Sequence, residues 1–186
     1  MKLKKCNAVL SLLTVLALLL HVGYVFYAYL TFDYNASIQK VLSRIVEALV
    51  CVHGVLGMCL VFLMGDGTRL GDYPRQNLST VLQRVSAALL FPLLLVHVKT
   101  FSLLGSFAAE GRMTGFAVVL ALQVLFYADV AVHVVTSLPR ALITLGWLRR
   151  ERTRRVLDRV LWVLGALIFA ALTVTVVRTE LIIFMH

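Results

Sequence analysis

Charged residues are scarce in this sequence: they make up 15% of its 186 residues, whereas hydrophobic residues make up 61%, and the mean hydropathy is +0.93. Soluble domains are typically about half apolar and a quarter charged. A soluble domain of this size could not hide so much apolar surface from water. The composition therefore predicts a membrane protein. It excludes a soluble enzyme, a disordered tail and a nucleic-acid-binding domain, despite the formal charge of +9.

Cysteine is also rare. The three cysteines, Cys6, Cys51 and Cys59, form no C-x-x-C motif, and two of them share one apolar run. This spacing matches neither a disulfide framework nor a cysteine-rich metal site, so we expect all three to be small buried hydrophobic side chains. Internal repeats and low-complexity tracts are absent, and the connections between apolar runs are short. The sequence therefore predicts a single domain over residues 1–186.

The chain contains five long apolar runs. They occupy 6–32, 45–65, 85–109, 113–139 and 160–177, and only Glu47, Lys99 and Asp129 interrupt them with charge. Such runs can cross a hydrocarbon core of about 30 Å as helices, and strands are excluded because an open sheet leaves backbone groups unpaired in lipid. The predicted fold is all-α and polytopic, with five transmembrane helices. The predicted spans are about 6–32, 45–65, 80–109, 113–139 and 156–178.

Lysine and arginine are distributed unevenly between the two sides of these spans. With the N-terminus inside, thirteen of them fall on the inner side, and only Lys40, Arg44, Arg112 and Arg178 fall on the outer side. Cytoplasmic loops of membrane proteins carry an excess of these residues. The bias predicts a cytoplasmic N-terminus and an external C-terminus.

Four of the five histidines lie inside predicted spans, one on each of the first four: His21, His53, His97 and His133. An ionisable side chain within the membrane is costly and usually functional, and neutral imidazole is a common metal ligand. A single buried histidine is as readily explained by hydrogen bonding alone. One histidine on each of four consecutive helices predicts a metal or cofactor site.

The arrangement of the helices narrows the type of site. Short loops favour an up-and-down bundle in which the first four helices form a square. Neighbouring axes lie about 8–10 Å apart, which is tight for a macrocycle held between two imidazoles, whereas the diagonals are wider. This geometry predicts two bis-histidine haems, held by His21 with His97 and by His53 with His133. A zinc or copper site would instead need its histidines at one level, and residue counting assigns a clear depth only to His133, on the cytoplasmic side.

Two segments resemble a known family. The segment Gln83-Arg84-Val85-Ser86-Ala87, followed by an apolar helix that reaches His97, resembles the R-x-S-G motif of the cytochrome b membrane anchors of succinate dehydrogenase and quinol:fumarate reductase. The segment from His133 to Gly146 is similar to that family's H-x-x-x-G-[IL]-R-x-x-x-x-x-x-G segment, whose histidine binds haem. Ala87 and Ser137 stand where the family has glycine. Five helices with histidines on the first four match its single-chain, two-haem branch.

The resemblance implies an electron-transfer subunit with no substrate oxidation site of its own. In this family, electrons pass between cytoplasmic flavoprotein and iron–sulfur subunits and a membrane quinone, menaquinone or ubiquinone, with haem b in the anchor. The implied location is the bacterial cytoplasmic membrane, where lipid surrounds the chain.

Few polar residues in or near the spans could serve these cofactors. The candidates for contact with haem propionates are Arg84, Lys99 and Arg140, and those for contact with quinone or protons are Glu47, Thr80, Ser86 and Asp129. We expect Glu47, six residues outward of His53, to exchange protons with quinol on the outer side. Asp129 precedes His133 by four residues and so shares its helical face, where it would orient the imidazole or relay protons.

Two alternatives stay open on the sequence. The chain could be the haem b anchor of another membrane reductase or dehydrogenase, such as a hydrogenase or a formate dehydrogenase. It could also be a haem-free transport or assembly protein that uses its histidines for protons or metal ions, although it shows no inverted repeat or paired broken helices. The basic run at 149–155 suits both a docked acidic partner and anionic lipid.

Overall fold

The computed structural model describes residues 2–64 and 74–185, with the side chains of all but 62–64 and 74–77. This part of the chain forms five helices and no strand: α1 (Lys2–Thr31), α2 (Ala36–Met64), α3 (Pro74–Ala109), α4 (Met113–Leu145) and α5 (Glu151–Met185). All five are long and apolar enough to cross a membrane. The predicted all-α fold with five transmembrane helices is confirmed. Residue 65 of the second predicted span, Arg69 and His186 lie outside the described residues.

Every helix extends past its predicted span at one end or at both. α2 begins at Ala36 rather than at 45, α3 begins at Pro74 rather than at 80, and α5 covers Glu151–Met185 rather than 156–178. The added turns carry charged side chains such as Lys40 and Arg152, both exposed. A helix can continue from hydrocarbon into water, where its charged side chains are solvated, so a charged residue does not mark its end.

Short turns with defined caps connect α1 to α2 and α3 to α4. The Asn35 side chain accepts hydrogen bonds from the backbone N–H groups of Ser37 (3.0 Å) and Ile38 (3.2 Å), which satisfies donors that the first turn of α2 leaves open. After α3, Gly111 adopts a left-handed φ of 68°, a conformation that glycine reaches without a Cβ clash. We call the end of the bundle that holds these two turns the turn end.

The opposite end, called the basic end below, holds the N-terminus of α1 and the connection between α4 and α5. Gly146 ends α4 with a φ of 81°, and its N–H donates to the Ile143 carbonyl at 3.0 Å. The N-terminal part of α5 follows and is rich in arginine. Ion pairs at its start join Arg154 to Asp158 (3.9 Å), both half-buried, and Arg155 to Glu151 (3.8 Å), both exposed.

α4 is the central helix of the bundle. It packs most extensively against α3 and also against α1 and α5, while α2 packs against α1. These contacts form three sides of the predicted square, with α1 opposite α3 and α2 opposite α4. On the fourth side, the Phe91 ring of α3 reaches α2: a Cβ placed on Gly54 would lie 2.9 Å from its Cζ. α5 lies outside the square, against α4 and α1, and also contacts α3.

The best-packed apolar core lies at the turn end. Leu104 of α3 is completely buried, and Phe116 and Val119 of α4 are nearly so. Phe184 brings α5 into this cluster, where its ring lies 6.3 Å from that of Phe116 between centroids. Because α3, α4 and α5 all contribute side chains to this cluster, it holds the three helices in register along the bundle axis.

The three cysteines do not occupy a core. Cys6, Cys51 and Cys59 are free thiols, and all three are exposed on α1 and α2. The prediction that they are buried is therefore wrong. On a membrane helix an apolar face is stable against lipid as well as against protein, so hydrophobicity alone does not indicate which side chains face inward.

Candidate cofactor site

The four histidines of the bundle lie at two levels along its axis. His97 of α3 contacts Gln123 of α4, whereas His133 of α4 contacts Ser86 of α3. Along α4, Gln123 and His133 are ten residues apart, which at 1.5 Å per residue is about 15 Å. The level of His97 is nearer the turn end, and the level of His133 is nearer the basic end.

His53 of α2 and His133 of α4 face each other across one diagonal. Their ring centroids are 6.5 Å apart, and the ring planes meet at 66°. Two imidazoles that bind one metal ion from opposite sides through bonds of about 2.0 Å, with the ring centre about 1.1 Å beyond each nitrogen, have centroids about 6 Å apart. The distance between these two ring centres is close to the one expected for two imidazoles that share one metal ion.

Ser86 holds the His133 ring in place. Its hydroxyl lies 3.1 Å from Nδ1 of His133 and donates to the Gln83 carbonyl at 3.1 Å, and the residue is only 2% exposed. When its proton is directed at Gln83, the hydroxyl oxygen accepts from Nδ1–H of His133. That tautomer leaves Nε2 of His133 unprotonated and available as a ligand.

His97 is held by a larger hydrogen-bond network. Its Nδ1 lies 3.1 Å from Oε1 and 2.8 Å from Nε2 of Gln123. The same amide accepts from Thr100 Oγ1 at 2.9 Å and donates to the Tyr127 hydroxyl. The His97 ring also stacks on Phe126, with centroids 4.5 Å apart. When Nδ1–H donates to Oε1, Nε2 of His97 is left free to bind a metal.

The other two histidines carry unsatisfied nitrogens. Nδ1 of His21 and Nδ1 of His53 are buried and have no hydrogen-bond partner among the described residues. His21 lies within electrostatic range of His97, as His53 does of His133. Leaving a buried polar atom unpaired costs roughly 1–3 kcal/mol. Each level therefore combines one oriented imidazole with one whose Nδ1 has no hydrogen-bond partner in the described part of the chain.

Two histidines stand at each level, so each level offers two imidazoles to a metal-containing group. Among the described residues, no three His, Cys, Asp or Glu side chains converge into a metal-binding group, whereas a structural or catalytic zinc site uses three or four protein ligands. Haem iron needs only two protein ligands. The residues that would hold it are His21 and His97 at one level, and His53 and His133 at the other.

Arginines gather beside the His53/His133 level at the basic end. Arg140 donates through Nη2 to Thr80 Oγ1 of α3, and it lies within electrostatic range of Arg84 and Arg154. Pro139 precedes it but lies inside α4 and is buried, so the helix continues and carries Arg140 inward. The structure thus brings together Arg84, Thr80 and Arg140, three of the residues selected from the sequence.

The remaining candidates are placed differently. Lys99 is exposed on α3, and two residues along a helix its side chain points away from that of His97. Asp129 is 8% exposed, and its Oδ2 has no hydrogen-bond partner among the described residues. It lies one helical turn from His133, toward the His21/His97 level.

Glu47 lies beside the His21/His97 level. It forms an ion pair with Arg44, with Nη1 3.0 Å from Oε2, and its side chain is 30% exposed. It is within electrostatic range of both His21 and His97. Glu47 is therefore partly exposed and also close to two of the histidines.

One residue of this region was missed in the sequence. Glu180 of α5 is only 2% exposed, and its Oε2 has no hydrogen-bond partner among the described residues. The Tyr29 hydroxyl of α1 lies within hydrogen-bonding reach of its carboxyl group. The one available signal was an isolated carboxylate near the end of the last apolar helix.

Comparisons with protein-family models, with curated proteins and with solved structures find no match for this chain.

Proposed function

We propose that this chain is a cytochrome b membrane anchor of the succinate:quinone and quinol:fumarate oxidoreductase type. In this proposal it binds two b haems, docks a flavoprotein and an iron–sulfur subunit on the cytoplasmic side, and exchanges electrons with menaquinone or ubiquinone in the bacterial cytoplasmic membrane. The basic end is cytoplasmic, and the turn end is external.

The observation that carries the proposal is the pairing of imidazoles on opposite helices at two levels. The 6.5 Å spacing of the His53 and His133 rings suits one metal ion between them. Hydrogen bonds with Ser86 and Gln123 orient one ring at each level, as expected for metal-binding histidines. Haem supplies one-electron transfer when it is bound, so two levels about 15 Å apart would carry electrons along the bundle axis.

The polar residues around the two levels suit the same proposal. Arg84 and Arg140 are cations that would neutralise propionates at the basic end. Glu47 combines partial exposure with closeness to His21 and His97, which suits a group that exchanges protons with quinol. Asp129, buried one turn from His133, would hold a proton between the two levels.

A visible difference spectrum tests the proposal directly. The chain is expressed with sufficient haem, purified, and measured in its dithionite-reduced and oxidised forms, together with the haem-to-protein ratio. We expect the sharp bands of low-spin b haem and about two haems per chain, since the bundle has two imidazole pairs. A colourless protein would overturn the proposal and leave the histidines to protons or to another metal.

Partner capture separates this proposal from other haem b anchors. Complexes purified through a tag on this chain from its own host are analysed for covalent flavin, iron–sulfur clusters and succinate-dependent reduction of the b haems. Succinate or fumarate coupling supports the proposed family. Coupling to hydrogen or formate instead would retain the haems and assign the chain to a different complex.

A further inference from the structure

We propose that the side-chain amide of Gln123 selects the tautomer of His97 and thereby decides whether that imidazole can bind haem iron. Gln123 is a positioning residue in this role, because it acts on the iron only through His97. The consequence for haem binding rests on the proposed function, whereas the tautomer of His97 is a property of the chain itself and is measured separately.

The two polar atoms of the amide both contact the same ring nitrogen. Nδ1 of His97 lies 2.8 Å from the amide nitrogen of Gln123 and 3.1 Å from its amide oxygen. The amide nitrogen only donates hydrogen bonds, and the amide oxygen only accepts them. The first contact therefore requires an unprotonated Nδ1, and the second requires Nδ1–H.

These two states of Nδ1 have opposite consequences for metal binding. A neutral imidazole carries one proton on its two nitrogens. When the Gln123 amide nitrogen donates to Nδ1, the proton of His97 is on Nε2, which then cannot bind a metal. When Nδ1–H donates to the amide oxygen, Nε2 is free to bind, and the hydrogen bond makes it a more basic ligand. The shorter distance is the one to the amide nitrogen, so the geometry favours the first state until a metal competes for Nε2.

Two hydroxyl groups hold the amide so that it serves both states. Gln123 and Thr100 are each 3% exposed. Thr100 Oγ1 lies 2.9 Å from the amide oxygen and 3.0 Å from the Val96 carbonyl, and its proton can go to either. The amide nitrogen donates one of its two protons to the Tyr127 hydroxyl. Each amide atom keeps a partner in both states, so neither state leaves a buried amide atom unsatisfied.

The packing of the His97 ring leaves the choice of tautomer to Gln123. The ring stacks on Phe126, with centroids 4.5 Å apart and planes 20° apart, and meets the edge of the Tyr127 ring at 6.3 Å. These contacts fix the plane of the ring beside the amide. Among the described residues, the side-chain hydrogen bonds of His97 go to Gln123 alone. The change of tautomer moves one proton from Nε2 to water and one from water to Nδ1, so it leaves the net charge unaltered.

Replacement of the amide by a carboxylate tests this role, because it makes the opposite change to a simple loss of the side chain. In Gln123→Glu both oxygens accept, so Nδ1–H is the favoured state, and Thr100 and Tyr127 can donate to the same carboxylate. We expect the haem that depends on His97 to be lost to apomyoglobin about tenfold more slowly, the lower end of the effect that such outer contacts have on metal affinity. We also expect its midpoint potential to fall by about 59 mV, which corresponds to a tenfold preference for ferric iron.

A matched control separates the hydrogen bond from the added charge. Ser102→Glu places a carboxylate at an exposed position of α3, five residues from His97, where it should leave the rate of haem loss unchanged. If Gln123 only filled space or stabilised the bundle, Gln123→Glu would instead speed the loss of haem. Faster loss, or equal effects of the two variants, would overturn the inference.

Nitrogen-15 NMR of the histidine rings measures the tautomer directly in the full chain purified from haem-deficient cells. The signals of His97 are those that disappear in His97→Ala. We expect the wild-type chain to show the proton of His97 on Nε2, and Gln123→Glu to show it on Nδ1. A wild-type chain with the proton on Nδ1 would overturn the inference even if Gln123→Glu does not fold. A wild-type protein that binds no haem would overturn the proposed function, while the NMR spectra would still decide whether Gln123 selects the tautomer.

Discussion

The Ser86 hydroxyl of α3 lies 3.1 Å from Nδ1 of His133 on α4. This contact joins α3 and α4, the two helices that pack most extensively against each other. It connects a serine at the start of the apolar part of α3 with a histidine of α4. A hydrogen bond to the non-ligating nitrogen of a metal-binding histidine fixes its tautomer and ring orientation. If His133 is a ligand, loss of this contact should weaken metal binding.

Substitution of this serine should weaken haem binding without unfolding the bundle. Ser86→Ala removes the acceptor of Nδ1–H, and loss of such an outer contact typically costs roughly 10- to 100-fold in metal affinity. We expect a haem-to-protein ratio closer to one than to two after haem competition with apomyoglobin. Ser102→Ala, at an exposed position of the same helix, is the control and should retain both haems.

Double histidine variants test the pairing. If His21 pairs with His97 and His53 with His133, removing both members of one pair leaves the other pair intact. We therefore expect His21→Ala/His97→Ala to keep about one haem per chain, as His53→Ala alone should. His53→Ala/His97→Ala breaks both pairs and should leave none in bis-histidine coordination.

The haem spectra of these double variants would also show whether this pairing is wrong. Retention of one low-spin haem by His53→Ala/His97→Ala, with none in His21→Ala/His97→Ala, would show that ligands pair across a side of the square. Insertion of every variant is checked by its yield in the membrane fraction, so that loss of haem is not mistaken for loss of protein.

The sequence was sufficient to predict the number and approximate position of the spans, because hydropathy reports directly on the solvent that surrounds a helix. It was not sufficient for the depth of the histidines. α2 begins at Ala36, nine residues before its predicted span, so the apolar run does not fix where His53 lies relative to the neighbouring helices. Contacts such as Ser86 with His133 assign the levels, and these depend on helix packing.

The same limit explains why Glu180 was missed. The fifth predicted span ends at 178, which places Glu180 beyond it, and only the packing of α5 against its neighbours buries the carboxyl group. α4 likewise continues through Pro139 to Leu145. Membrane helices tolerate proline because neighbouring groups satisfy the backbone.

Gln123 is predicted to stabilise both the His97 ring and the α3–α4 contact. Gln123→Leu removes this partner from the Tyr127 hydroxyl and from His97 Nδ1, while the Thr100 hydroxyl still donates to the Val96 carbonyl at 3.0 Å. Each buried polar group left unsatisfied costs about 1–3 kcal/mol. We expect a lower midpoint of thermal unfolding in detergent and loss of the haem that depends on His97. Tyr127→Phe removes one of the three contacts and should give a smaller effect. Equal effects of the two variants would contradict the network.

Cysteine labelling tests the orientation. In a variant with Cys6, Cys51 and Cys59 replaced by alanine, a single cysteine is introduced as Ser37→Cys at the turn end or as Arg152→Cys at the basic end, both exposed positions. The excess of basic residues at the basic end predicts that it is cytoplasmic. A membrane-impermeant maleimide should label Ser37→Cys in intact cells and Arg152→Cys only in opened cells. The reverse labelling pattern would show that the basic end is external and the turn end is cytoplasmic.

The contact of α5 with α4 depends on a glycine. A Cβ on Gly165 would lie 2.8 Å from Cγ2 of Val135, so Gly165→Ala must push the helices apart, at a cost of about 1–3 kcal/mol for overpacking. Gly23→Ala is the control, because its Cβ would meet no atom within 4 Å and alanine favours a helix by up to about 1 kcal/mol. We expect Gly165→Ala to lower, and Gly23→Ala to maintain or raise, the thermal unfolding midpoint in detergent.

Val135→Ala removes the clashing methyl groups, so the double variant with Gly165→Ala should be less destabilised than the sum of the two single variants. Strict additivity would mean that Gly165 and Val135 are not in contact, and that α5 packs on α4 through other residues.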